Sequence, residues 1–289
     1  MRTLILDREE YIEQAYFFRV YRERLQENVP SQEILQIIQE EILATTRLPM
    51  ALDFMRAEIL HSGRISDAML RLRHYFTQFQ TFVIQRAEAD ESRFEQLVAL
   101  KILESEAGYR ARNPVPSGMF VYQFECIARN RLGYADGLKA MAQDPLYSDE
   151  WQNWIGGLGN ELGSRELSEL IYLASQHFHN RRASRSAKKG EVAATSNVPA
   201  PGILFGDQEG RIAMANIGRD PLFFFAALQR QLDYPAVPKS QHAEEIQKLP
   251  AFLEARLVKL EQRLKIMEME SKSGIDLKQF YKHPDSKEL

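Results

Sequence analysis

Glu58 and His61 stand three residues apart. That Glu-x-x-His spacing puts a carboxylate and an imidazole on one face of a helix, as helical di-metal centres require. Such a centre also needs a second copy of the motif and two further carboxylates, and the sequence offers no second copy. His61 falls at a helix end, where an imidazolium has an ordinary role against the helix dipole. His177 and His179 are two apart and on a helix point to different faces. Cys126, the one cysteine, sits in the apolar run 120–127 and reads as a small buried hydrophobe rather than a nucleophile or a thiolate ligand. Gly157, Gly159 and Gly163 miss the dinucleotide fingerprint by one residue, and no strand precedes them. They read as a flexible or tightly turned break after Trp154. No nucleophilic-serine elbow, zinc-protease motif, kinase set or phosphate loop occurs. The sequence assigns no catalytic residue, no cofactor and no metal, and it leans against enzymatic chemistry.

Residues with the spacing to bind a partner lie near the C-terminus. Leu253, Leu257, Leu260, Leu264 and Met267 recur at intervals of 4, 3, 4 and 3. With Leu257 and Leu264 at heptad position a, Glu254, Glu261 and Glu268 fall at e, and Arg256 and Arg263 at g. In a parallel dimer Arg256 meets Glu261 and Arg263 meets Glu268, both pairs opposite in sign, which is the charge pattern of a coiled coil. Phe252 and Ile266 lie off the seam and widen the apolar stripe, as on a helix packed against its own domain. Both readings stand: self-association or a partner helix on one side, intramolecular packing on the other. A second candidate is the basic tract Arg181, Arg182, Arg185, Lys188 and Lys189, which could neutralise phosphates of a nucleic acid. No aromatic residue is interleaved there to stack on bases. Ser184 and Ser186 beside it are sites where modification would cancel charge.

The elements that must position these residues are mostly helical. Asp7 with Glu10 resembles a capping box opening a helix to about residue 24, and Ser31 after Pro30 caps the next. Pro49 fits a first turn and Gly63 a C-terminal cap. Ser66 and Asp67 open a long helix to about residue 87 with Met69, Leu70, Leu72, Phe76, Phe79, Val83 and Ile84 on its core face. Further helices cover 94–106, the stretch between Gly118 and Gly133, and 135–142. Ser148 caps another containing Trp151 and Trp154, and Ser164 starts one ending near residue 178. Residues 180–201, basic and then small, polar and proline-containing, read as a flexible linker. Two apolar runs at 203–205 and 211–215, around a loop bracketed by Gly206 and Gly210, read as a hairpin, with 3–6 as a candidate third strand. Asp220-Pro221 opens a short helix in which Phe223, Phe224 and Phe225 cannot all face one side. An extended connector at 234–238 leads to a last helix over 242–270, kinked at Pro250. The expected fold is mostly α. It comprises a helical bundle or irregular array over 1–179, the linker, and a module over 202–289 of hairpin, short helix and long terminal helix.

Charge and composition bound the rest. Residues 1–180 carry a net −7, residues 181–200 a net +4 and residues 201–289 zero, so any nucleic-acid contact is confined to the basic tract. The most apolar segment, 222–228, falls far short of the roughly 20 residues of a bilayer span, which argues against a membrane. The N-terminal apolar run ends at Asp7, too short for a signal-peptide core. With a lone cysteine, this points to a reducing, cytoplasmic setting. The wording of Tyr134-Ala-Asp-Gly-Leu-Lys-Ala-Met-Ala-Gln-Asp-Pro145 is similar to a family of bacterial proteins with no assigned activity. So is that of Asp220-Pro-Leu-Phe-Phe-Phe-Ala-Ala-Leu-Gln-Arg-Gln-Leu232 with Tyr234-Pro-Ala-Val-Pro238. That resemblance implies no activity, cofactor or site residue.

Overall fold

Proline, glycine and hydroxyl side chains punctuate this chain, and long-range contacts decide which of those signals become helix ends. The computed structural model describes residues 5–89, 94–189 and 202–239, with 185–189 described by backbone alone. The chain divides into two units, Met1–Ser240 and Gln241–Leu289, and every described residue belongs to the first. The heptad helix expected at 253–267, the stretch 190–201 and positions 3 and 4 of the candidate third strand lie outside the described residues.

Among the described residues the fold is an all-helical bundle of thirteen helices with no sheet. The first is α1 (Arg8–Gln26), which buries Tyr11, Gln14, Phe17, Phe18 and Tyr21 at helical spacing. Asp7 occupies its N-cap position without a side-chain bond to the helix, so the expected capping box does not form. Pro30 is the N-cap of α2 (Ser31–Glu41), and Ser31 lies inside the helix rather than capping it. α3 (Leu48–Ser62) begins with Pro49 in its first turn and ends at Gly63, whose φ of 71° is the left-handed cap the sequence predicts.

The long helix expected over 66–87 is two helices, α4 (Ile65–Arg71) and α5 (Gln78–Glu88). Thr77 and Gln80 form a reciprocal capping box that starts α5 afresh. The Glu88 carboxylate returns to accept from the N–H groups of Ile65 and Ser66 at 2.8 and 3.0 Å, so it takes the capping role expected of Ser66. The break lets Tyr75 turn inward, where its hydroxyl donates to Glu10 at 2.9 Å.

α6 (Gln96–Arg110) packs along α1. α7 (Pro116–Asn130) is the central helix, with every residue from Gly118 to Ile127 buried. Gly118 is required by contact: a Cβ there would lie 2.3 Å from the Tyr109 hydroxyl, which donates to the Leu232 carbonyl. α8 (Tyr134–Ala142) follows Gly133, and α9 (Asp149–Glu161) is capped by Ser148, whose side chain accepts from the Trp151 N–H. The break expected after Trp154 is absent. Gly156, Gly157 and Gly159 stay helical because the buried stripe Trp151, Ile155 and Leu158 continues across them. The left-handed residue comes later, at Gly163, with a φ of 107°.

The largest departures from expectation follow. The helix expected from Ser164 to about 178 is divided into α10 (Leu167–Leu173) and α11 (Gln176–Lys189). The basic half of the expected linker is therefore the C-terminal part of α11. The expected hairpin is also absent. Residues 204 and 205 make a single bridge into the α10–α11 break, with Leu204 N donating to Ala174 O and Gln176 N to Phe205 O, each at 2.9 Å. The second expected strand is α12 (Asp207–Ala215), whose first turn carries Asp207 and Glu209 in the favourable sense of the helix dipole. Gly210, read as a turn residue, is a packing residue. A Cβ there would lie 2.3 Å from Ser175 Oγ and 2.6 Å from His177 Cβ. α13 (Pro221–Leu232) is capped by the Asp220 carboxylate, as expected, and packs on α7 and α12. Residues 202–239 fall in the same compact unit as α1–α11. Among the described residues no helix is long and apolar enough to cross a membrane.

Candidate functional site

Most of the residues singled out for chemistry are engaged in structural contacts. Glu58 pairs with Arg71 across the α3–α4 corner at 3.1 Å, and His61 is exposed. Among the described residues no three His, Cys, Asp or Glu side chains gather closely enough to hold a metal ion. Cys126 is fully buried, and burial pushes its thiol pKa well up, which disfavours the thiolate a nucleophile needs. His177 Nδ1 lies 2.9 Å from Asp207, which also pairs with Arg211 at 2.7 Å, so the imidazole ties α11 to α12. The hydrogen bond to His177, then the charge of Arg211, hold the Asp207 carboxyl below its ordinary value.

A polar cluster sits in the core where α6, α7 and the α8–α9 loop meet. Arg110 reaches Glu106 at 2.9 Å and clasps both oxygens of Asp144; Glu106 and Asp144 have no exposed surface. Gln123 Nε2 donates to Glu106 at 2.9 Å and to Asp144 at 3.1 Å, and its carbonyl accepts from the Tyr147 hydroxyl at 2.8 Å. Burial alone would lower the Arg110 pKa. The charges of Asp144 and Glu106 outweigh it and raise the pKa well above the ordinary value, so the guanidinium stays charged. Burial, then the Asp144 carboxylate, push the Tyr147 phenol up. Closed to solvent, these groups hold three elements in register and offer no surface to a substrate.

A more open site also borders α7. Phe124 and Ala128, one turn apart on α7, form one wall of a cleft of about 260 Å³. Tyr134 at the start of α8, Leu162 and Leu167 form another, and Pro221, Phe224 and Phe225 at the start of α13 close it. The Phe124 ring is 5.5 Å from Tyr134 and 6.4 Å from Phe225, centroid to centroid. The three adjacent phenylalanines divide as their geometry demands: Phe224 and Phe225 are buried against the body, and Phe223 is 68% exposed.

The rim is polar. Glu166 Oε2 accepts from Gly218 N at 2.8 Å and from Ser168 Oγ at 3.1 Å, which fixes the 216–219 turn against the start of α10. Arg219 stands exposed at the same rim and forms no ion pair among the described residues. Burial raises the pKa of Tyr134, so its phenol stays protonated at neutral pH. These cleft residues were not identifiable from the sequence as a site. The one trace was the requirement that some of Phe223, Phe224 and Phe225 meet another surface. Comparison with protein families, with curated proteins and with solved structures finds no match.

Proposed function

We propose that the protein is a non-enzymatic interaction or adaptor protein that uses residues 253–267 to self-associate through a parallel helix pair. The observation that carries this reading is the charge match on the 4-3-4-3 apolar seam, Arg256 with Glu261 and Arg263 with Glu268. The helical body adds support. Its buried charges are spent on internal ties. It also presents exposed apolar side chains of the kind partner-binding surfaces carry, Met50, Phe54 and Leu60 on α3, and Leu222 and Phe223 on α13.

Light scattering on the full chain tests it. The unmodified protein runs as a dimer. The doubly reversed Arg256→Glu, Arg263→Glu form and the complementary Glu261→Arg, Glu268→Arg form each run as monomers. An equimolar mixture of the two returns to dimer, because each g position again faces an opposite charge. Reversals that leave the mass unchanged would sink the reading.

A second reading, nucleic-acid binding through 181–189, is favoured by the helical state of the basic tract. In α11 the backbone positions 181, 185 and 188 recur one turn apart, with 182 and 189 beside them. On this reading the protein binds single-stranded RNA with an affinity that falls steeply between about 50 and 200 mM salt. Neutralising Arg181, Arg182 and Arg185 flattens that dependence. Binding indifferent to salt, measured by anisotropy, would rule it out.

A further inference from the structure

The geometry points to the cleft between α7, α8, α10 and α13 as a binding site for a small carboxylate with an aromatic or branched apolar body. Its walls are apolar and aromatic on three sides. The Phe124 ring lies 5.5 Å from Tyr134 and 6.4 Å from Phe225, spacings at which rings pack edge to face or offset. A volume of about 260 Å³ lies just below the usual range of ligand sites, about 300 to 1,000 Å³. That room suits one ring with a short chain and not a nucleotide or a long acyl chain.

The two charged residues at the rim decide the sign of the ligand's polar end. Glu166 spends one oxygen, Oε2, on two donors of the protein, a backbone N–H and a hydroxyl. Arg219 has no acceptor among the described residues, and its backbone is held by the bond from its N–H to the Asn216 carbonyl at 3.1 Å. The turn that carries it is itself tethered by Glu166, so the Arg219 backbone is fixed at the mouth of an apolar slot. A planar fork of N–H donors there is complementary to a carboxylate, which it can meet with two parallel hydrogen bonds. An ammonium group would meet a repelling cation beside the Glu166 carboxylate. A neutral ligand would gain the walls alone.

Isothermal titration of the full-length protein with three probes tests this: 3-phenylpropionate, its neutral amide 3-phenylpropionamide, and 2-phenylethylammonium. The expected result is saturable one-site binding of the acid, with the amide weaker by about two- to fivefold and the ammonium weaker still. Arg219→Gln, an exposed change that leaves the thermal midpoint in place, brings the acid down to the level of the amide and leaves the amide unchanged. Ala128→Phe, which fills the slot from α7, removes binding of both. The proposal is overturned if no probe saturates, if acid and amide bind alike to the unmodified protein, or if Arg219→Gln keeps the preference for the acid. None of these results depends on the oligomeric state, so failure here is separate from failure of the helix-pairing reading.

Discussion

Arg110→Met lowers the stability of the protein by about 3–5 kcal/mol, the cost of breaking a buried ion pair from one side. Methionine matches the length of the arginine stem, so the change removes the guanidinium with little loss of packing. What remains is the difficulty. Glu106 and Asp144 have no exposed surface, and both lose the cation that compensates them. Gln123 can still donate to each, but a neutral amide cannot replace a charge in a medium where neither carboxylate reaches water. Arg110 also lies 5.9 Å over the Tyr11 ring, so α1 loses a contact to the same cluster. Urea unfolding measures the effect as a lowered midpoint with an unchanged slope. Adding Glu106→Leu and Asp144→Asn to Arg110→Met recovers a large part of the loss, because an apolar or neutral replacement of the whole set is far less costly than a broken one. A midpoint for Arg110→Met within about 0.5 kcal/mol of the unmodified protein, the range of an ordinary surface change, would mean that the cluster is not the closed ionic core described above.

That cluster also shows where sequence reading stops. Glu106 and Arg110 are four apart on one helix and look like an ordinary surface ion pair. Only the arrival of Gln123, Asp144 and Tyr147 from later elements turns them into core. Helix periodicity and caps were legible where the deciding partners were local: Pro49 and Gly63 around α3, Ser148 before α9, and Asp220-Pro221 before α13. They misled where a distant group decided. The apolar spacing from Met69 through Phe79 is helical throughout, yet the Thr77–Gln80 box and the inward turn of Tyr75 toward Glu10 divide it. Gly206 and Gly210 have the spacing of a loop, but Gly210 is small because Ser175 and His177 stand against it. The cleft gathers Phe124, Tyr134, Leu167 and Phe225 from four helices, and no local pattern could relate them.

The segment read as a strand supplies the second large effect. Phe205→Ala is expected to cost about 3–5 kcal/mol, the range for truncating a buried aromatic ring. On one strand of a small, marginal hairpin the same change would cost much less. In the bundle, Phe205 is 1% exposed and its ring stands 5.9 Å from Phe120, 5.1 Å from Trp151 and 5.4 Å from Trp154. The backbone around it closes the gap between α10 and α11: Leu204 N and Phe205 N both donate to the Ala174 carbonyl, and Gln176 N takes the Phe205 carbonyl. The side chain is therefore a plug seated between α7 and α9. Truncation leaves a void lined by three aromatic rings, with the bridge strands too short to collapse into it. Because Trp151 and Trp154 are the only two tryptophans of the chain and both face this ring, the emission spectrum reports on the site directly. Phe205→Ala shifts it to the red and lowers the urea midpoint in parallel, whereas Phe205→Leu, which keeps most of the volume, moves both by less than half as much. If Phe205→Ala left the emission and the midpoint where they are, residues 203–205 would not be seated in the aromatic core, and the separate C-terminal module suggested by the sequence would regain its ground.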